Sequence, residues 1–150
     1  MIDRRLVTNA FVAMLATGTG KPVGRGKAPA GVSAPPYYVV DSLTTDLSGA
    51  PLADENEDAE LVYQVTSISG PDPTKPDSAG ALDQVEWMAD KARRTVLGRD
   101  PDTGLWLHPL TVAGYKVMRR QLETEPGGTN DPEDAIISYV QRFRFVLTPA

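Results

Sequence analysis

Hydrophobic positions along the chain fall into six patterned segments separated by polar or Gly- and Pro-rich stretches. From about Asp3 to Ala16, Leu6, Ala10, Ala13 and Met14 recur near one face with Val7 beside them, which predicts an amphipathic helix. Asp3 is placed to cap it and Gly18 to end it. Residues 18–36 hold nine Gly or Pro in nineteen positions, so a flexible loop is expected there, with Lys21, Arg25 and Lys27 making it a basic arm. Tyr37 to Leu43, rich in aromatic and β-branched residues, predicts a strand entered from Pro35-Pro36.

After a polar acidic loop over 44–60, a second strand is expected from Leu61 to Ser69. There Leu61, Tyr63 and Val65 alternate with Val62, Gln64 and Thr66, and Gly70-Pro71-Asp72-Pro73 stops the run. The clearest helix spans about Ala79 to Leu97, where Leu82, Val85, Ala89, Ala92 and Val96 repeat at helical spacing. Ser78 is placed to cap it and Gly98 to supply a left-handed stop. Its acids Asp83, Glu86 and Asp90 precede Lys91, Arg93 and Arg94, an order that suits the helix dipole.

A loop holding Trp106 and His108 leads to a predicted strand from Tyr115 to Glu123, and residues 126–132 read as a long hairpin loop. The last strand, Ile136 to Thr148, alternates best. Ile137, Tyr139, Phe143, Phe145 and Leu147 share one face, and Ser138, Arg142 and Arg144 the other. The order α-β-β-α-β-β predicts a single α+β domain over 1–150. It would be a four-stranded antiparallel-type sheet with two helices packed on one face and long Gly/Pro-rich loops.

Composition adds exclusions. The 150 residues are enough to bury a core unaided, and the lack of cysteine excludes a disulfide scaffold, a thiolate zinc site and a cysteine nucleophile. No apolar run approaches the ~20 residues of a membrane span, so no membrane partner is expected. Arg4-Arg5 precede an apolar stretch as in a signal peptide, but Thr8-Asn9 interrupt it and no small-x-small cleavage site follows; an amphipathic helix is the better reading. The formal charge of −5 argues against a dedicated nucleic-acid binder. Residues 51–100, with eleven acids against five bases, carry most of the acidic excess. A soluble cytoplasmic protein is the expectation from composition.

Candidate chemistry is sparse. Counting back from Gly26-Lys27 puts Lys21 where a P-loop needs its first Gly, and Ala28 follows where Ser or Thr is needed. Asp54, Asn56 and Asp58 have the spacing of a calcium loop's first ligands, but Ala59 replaces the turn Gly and Val65 the closing Glu. His108 is the only histidine, and no G-x-S-x-G motif accompanies it. Twenty acids offer carboxylate pairs, but no spacing selects one. No catalytic residue, cofactor-binding residue, cofactor or metal ligand is therefore assigned, and the expectation is a protein that is not an enzyme. Arg119, Arg120, Arg142 and Arg144 fall on the two C-terminal strands, and paired strands would make them a basic interface for an acidic partner or a passing nucleic-acid backbone.

In this order of elements the chain resembles the tail-terminator, or tail-completion, proteins of long-tailed bacteriophages. The resemblance rests on the helix around Leu6–Leu15, on Pro36-Tyr37-Tyr38-Val39-Val40, and on Glu60-Leu61-Val62-Tyr63-Gln64-Val65-Thr66-Ser67. It continues through Gln84-Val85-Glu86-Trp87-Met88-Ala89-Asp90-Lys91-Ala92-Arg93 and Tyr139-Val140-Gln141-Arg142-Phe143-Arg144-Phe145. It implies a virion protein, assembled in the host bacterial cytoplasm, that forms a homo-oligomeric ring, usually a hexamer, on the head-proximal end of the tail tube. Such a ring ends tail polymerisation and joins tail to head. Its partners would be the tail tube protein, a head-closure or connector protein, and genomic DNA passing through the lumen without sequence recognition. The acidic loop residues Asp54, Glu55, Glu57 and Asp58 would then face that lumen and keep DNA from sticking. Two alternatives stand beside it: another neck protein (head closure or head–tail connector), or a small ligand- or peptide-binding α+β module with Trp87 or Trp106 lining its pocket.

Overall fold

The computed structural model describes residues 2–32, 34–48, 58–75, 77–131 and 135–150. Its elements run α1 (Arg4–Thr19), β1 (Val23–Arg25), β2 (Tyr37–Ser48), β3 (Asp58–Ser69), α2 (Leu82–Leu97), β4 (Tyr115–Asp131) and β5 (Ile136–Pro149). The strands form one sheet in the order β1-β2-β3-β5-β4. Every neighbouring pair is antiparallel except β1–β2, which is parallel.

Both helices pack on the same face of this sheet, but the buried stripes are turned from those expected: α1 buries Val7, Phe11, Met14 and Leu15 while Leu6 and Ala13 are exposed, and α2 buries Val85, Met88, Ala89, Ala92 and Val96 while Leu82 is exposed. Phe11 of α1 lies 5.2 Å from Tyr63 and 5.1 Å from Phe145, ring centre to ring centre, and the two strand aromatics are 6.0 Å apart. Tilted and edge-on rings at these distances add to the area they bury. Beside them α2 lays Met88, Ala92 and Val96 into the same core. Two side chains reach up from the sheet to α2: the buried Tyr38 hydroxyl donates to Met88 O at 2.7 Å, and Gln141 Nε2 donates to Ala89 O at 3.0 Å. Burial pushes the Tyr38 phenol above its ordinary pKa, so it stays a donor. Gln141 also donates to Glu125, which accepts from Arg93 of α2 at 2.8 Å and from the Tyr139 hydroxyl at 3.2 Å, so one carboxylate ties α2, β4 and β5 together.

The sheet has five strands where four were expected, and the extra one falls inside the supposed basic arm. Val23–Arg25 pairs with Tyr38–Val40, framed by Tyr38 N–H to Pro22 O at 2.9 Å and Gly26 N–H to Val40 O at 2.8 Å. The glycine content, taken as a sign of irregularity, serves close approach here: a Cβ on Gly24 would stand 1.9 Å from Lys27 O. Arg25 is fixed too, donating from its guanidinium to the Asn9 side chain on α1.

Helix ends depart from expectation for similar reasons. Asp3 does cap α1, accepting from Arg5 N–H at 3.0 Å, but the helix continues through Gly18 to a left-handed Gly20. Gly18 is there for space, since a Cβ on it would lie 2.2 Å from Thr95 Cγ2 on α2. Helix α2 starts at Leu82, and Ser78 instead closes a turn onto Asp72, accepting from its N–H at 2.8 Å. Ser69 Oγ takes over near the helix start, accepting from Ala81 N–H at 3.0 Å. Gly98 is extended (φ −64°, ψ 139°) rather than left-handed, and a Cβ there would meet Arg94 O at 2.3 Å.

Three strands run further than predicted, β3 by starting at Asp58 within the expected acidic loop. The hairpin loop expected over 126–132 is strand as far as Asp131: Gly127 and Gly128 pair with Val140 and Tyr139, and the register slips around Pro126, which has no N–H for the ladder. Strand β2 continues to Ser48 past a bulge between Ser42 and Thr45. Arg4 fills that bulge from the start of α1, donating to Val62 O and Thr44 O at 2.9 Å each, with its guanidinium 5.0 Å from the Tyr63 ring centre. The outer end of β2 is thereby held to α1.

Replacing Gly18 with Ala should destabilise the fold by about 1–3 kcal/mol through overpacking against Thr95, although Ala gains about 1 kcal/mol in helix propensity. Urea denaturation should show the loss, and much of it should be relieved in a Thr95→Ser background, which removes Cγ2 and keeps the hydroxyl.

Candidate interaction surfaces

Strand pairing separates the four C-terminal arginines. Opposed residues in an antiparallel pair project to the same side, so Arg119, opposite Val146, and Arg142 and Arg144 project from the face without helices. Arg120 is opposite Phe145 and points to the helix side. The four therefore do not make one patch.

On the open face, Arg144 bridges three strands. It donates to Glu60 of β3 at 2.6 Å and to Glu123 of β4, and these carboxylates hold its guanidinium more firmly protonated than usual. Its charge is spent within the sheet. Arg142 donates from Nε to Gln64 at 3.2 Å and remains exposed. Arg119 is exposed as well.

Arg120 is only 6% exposed. Its Nη1 donates to His108 O at 2.8 Å and to Val96 O at 3.2 Å, the latter in the last turn of α2 where the helix dipole favours a cation. The guanidinium carbon is 4.6 Å from the centre of Trp106, and that of Arg99 is 3.8 Å from the same ring. Among the described residues neither arginine has a carboxylate partner. Burial, with the charge of Arg99 beside it, pushes Arg120 down to about 10. Arg120 thus pins the 98–112 loop against β4 and the end of α2.

Between that loop and β4 runs a groove of about 620 Å³, lined by Leu105, Trp106, Pro109, Leu110, Met118 and Arg120 among others. Leu105 and Met118 at its rim are 69% and 63% exposed. Trp106 therefore lines a cavity, as the ligand-binding alternative requires. Trp87 does not share it; it stands half-exposed on α2 with the Lys21 ammonium 5.8 Å from its ring centre. His108 lines a smaller hollow with Gly18, Lys91, Arg94, Thr95 and Leu107. Of the acidic loop, Asp54, Glu55 and Glu57 lie outside the described residues, and Asp58 opens β3 and is exposed. Among the described residues no group of three His, Asp or Glu side chains is placed to hold a metal, and no helix is long and apolar enough to cross a membrane.

Adjacent arginines on a strand must diverge, so Arg119-Arg120 already carried the signal that one turns inward. Nothing local marked the groove. It depends on the irregular 98–112 loop folding back through Leu107 N–H to Gly98 O at 3.0 Å and Asp100 N–H to Leu105 O at 2.8 Å.

No protein-family model and no curated protein matches the chain. Among solved structures, its fold is similar to that of a chain from the virion of the native gene transfer agent (GTA) particle. The TM-score is 0.54 at 18% sequence identity, over 91% of this chain and 85% of that one. At this identity the likeness is one of fold.

Truncating Arg120 to Ala should cost about 2–4 kcal/mol, because two charge-assisted hydrogen bonds and a cation–π contact are lost together. Arg120→Lys should recover only part, since an ammonium cannot reproduce the planar fork over Trp106. Equilibrium unfolding with Trp fluorescence as the probe would report both.

Proposed function

We propose that the chain is a structural protein of a phage-like virion, acting at the head-proximal end of the tail as a terminator ring. The observation that carries this reading is the fold shared with a GTA virion chain over most of both proteins. Exposed leucines and a methionine on β2, on the 98–112 loop and on β4 are the kind of surface that assembly covers. In this role the protein works by shape and surface, with no catalytic step. Copies form a ring, usually of six, that meets the tail tube on one side and a head-closure or connector protein on the other, while DNA passes through unread. Another neck position is the nearest alternative, and the groove at Trp106 favours, as a second reading, a module that binds a small ligand or peptide.

Deleting the protein from the particle that encodes it separates these readings. Electron microscopy should show overlong tails without heads, because nothing stops tube growth. Tails of normal length would rule out the terminator role, and loss of binding to the portal rather than to the tube would move the protein to head closure.

A further inference from the structure

The sheet ends in two edges of opposite character. At one end is β4, which no strand of the described residues pairs on its outer side. Lys116 and Arg119, opposite Thr148 and Val146, project from its helix-free face and are exposed. On its helix face lies the apolar groove, with Leu105, Trp106 and Met118. An open edge of this length is ordinarily guarded. Here slips at Val117/Arg119 and Leu122/Thr124 leave Arg119–Leu122 as a regular stretch of edge beside the groove.

At the other end, β1 covers β2 only at Tyr38–Val40. Beyond it, among the described residues, no strand lies on the outer side of β2. Past the bulge, Thr45–Ser48 is regular. There Asp46 is opposite Glu60 on the helix-free face and Leu47 is opposite Ala59 on the helix face. Asp46 is exposed, and Leu43 and Leu47 remain accessible although they are leucines.

We propose that these edges join two copies of the chain head to tail, with Thr45–Ser48 of one copy lying along Arg119–Leu122 of the next. Three antiparallel pairings separate β2 from β4, so they run in opposite directions. Copies set side by side with their helices on the same face therefore meet as an antiparallel pair. In that register Leu47 falls opposite Arg120, beside the groove rimmed by Leu105 and Met118, and Asp46 falls opposite Gln121 on the helix-free face, with Arg119 its diagonal neighbour. Main-chain hydrogen bonds supply the attraction, and the alternating side chains fix register and partner. The contact is heterologous, so it closes into a ring when the rotation per copy divides a full turn. It rests on the ring component of the proposed function and names the surfaces that form it.

Charge exchange tests the contact on the full chain. Sedimentation velocity should show wild-type protein assembling as its concentration rises. Asp46→Lys and Arg119→Asp should each weaken assembly by at least about tenfold, since each opposes like charges across the junction. An equimolar mixture of the two variants should assemble again, because every junction between unlike variants pairs opposite charges. That recovery requires both variants to be folded. Wild-type protein that stays monomeric up to millimolar concentration, single variants that assemble like wild type, or a mixture that stays dissociated would each overturn the proposal. Normal tail lengths in deleted particles, by contrast, would remove the terminator role and leave this contact standing.

Discussion

The packing of Phe11 against Tyr63 and Phe145 fixes α1 over the junction of β3 and β5, and the other layers depend on that placement. Each of these side chains contributes about 1.5–3 kcal/mol by burial, and all three are fully buried. With α1 so placed, Gly18 meets Thr95 and α2 settles beside it on the same face of the sheet. At the start of the same helix, Arg4 reaches the β2 bulge. One aromatic cluster thus orients both helices and the outer end of β2. Among the described residues the opposite face receives no layer, and cross-strand pairs such as Glu60–Arg144–Glu123 hold it instead of a second core.

Arg120 is a buried charge on the helix-side face, and its surroundings bear on why it is tolerated. A buried guanidinium without a carboxylate is costly, and here Nη1 donates to two carbonyls while Nε is buried without a partner among the described residues. Val96 O belongs to the final turn of α2, and His108 O to a loop that runs under the end of that helix. Trp106 adds its ring face. The arrangement converts a loop with no regular structure into one wall of a groove. The rim residues Leu105 and Met118 stay exposed because Arg120 holds the loop and β4 at a fixed separation.

Much of this was legible in the chain. Alternation along Ile136–Thr148 assigned Phe143, Phe145 and Leu147 to the core and Arg142 and Arg144 to the other face, and helical spacing located both helices. What stayed hidden depended on contacts between segments distant in sequence. Gly18 looks like a breaker of local structure, but it is small because Thr95 of α2 approaches it closely. β1 was illegible because its pairing with β2 is parallel and only three residues long, too short for any periodicity to register. Likewise Arg120 was grouped with the other arginines on the basis of charge, when the twofold repeat of a strand separates it from Arg119.

These features bear on why the molecule leaves so much apolar surface in water. A sheet covered on one side must end somewhere, and folds that act alone blunt both edges with charge, bulges or a covering loop. In this chain the devices are partial. β1 covers three residues of β2 and stops, and the slips in β4 flank a regular stretch instead of abolishing it. The cations on β4 and the carboxylate on β2 repel copies of their own edge but not of the other. Edges that exclude themselves and fit each other favour one directed contact over indiscriminate aggregation. A protein required to assemble only with a fixed orientation benefits from that asymmetry, which a symmetric, self-complementary edge would not provide.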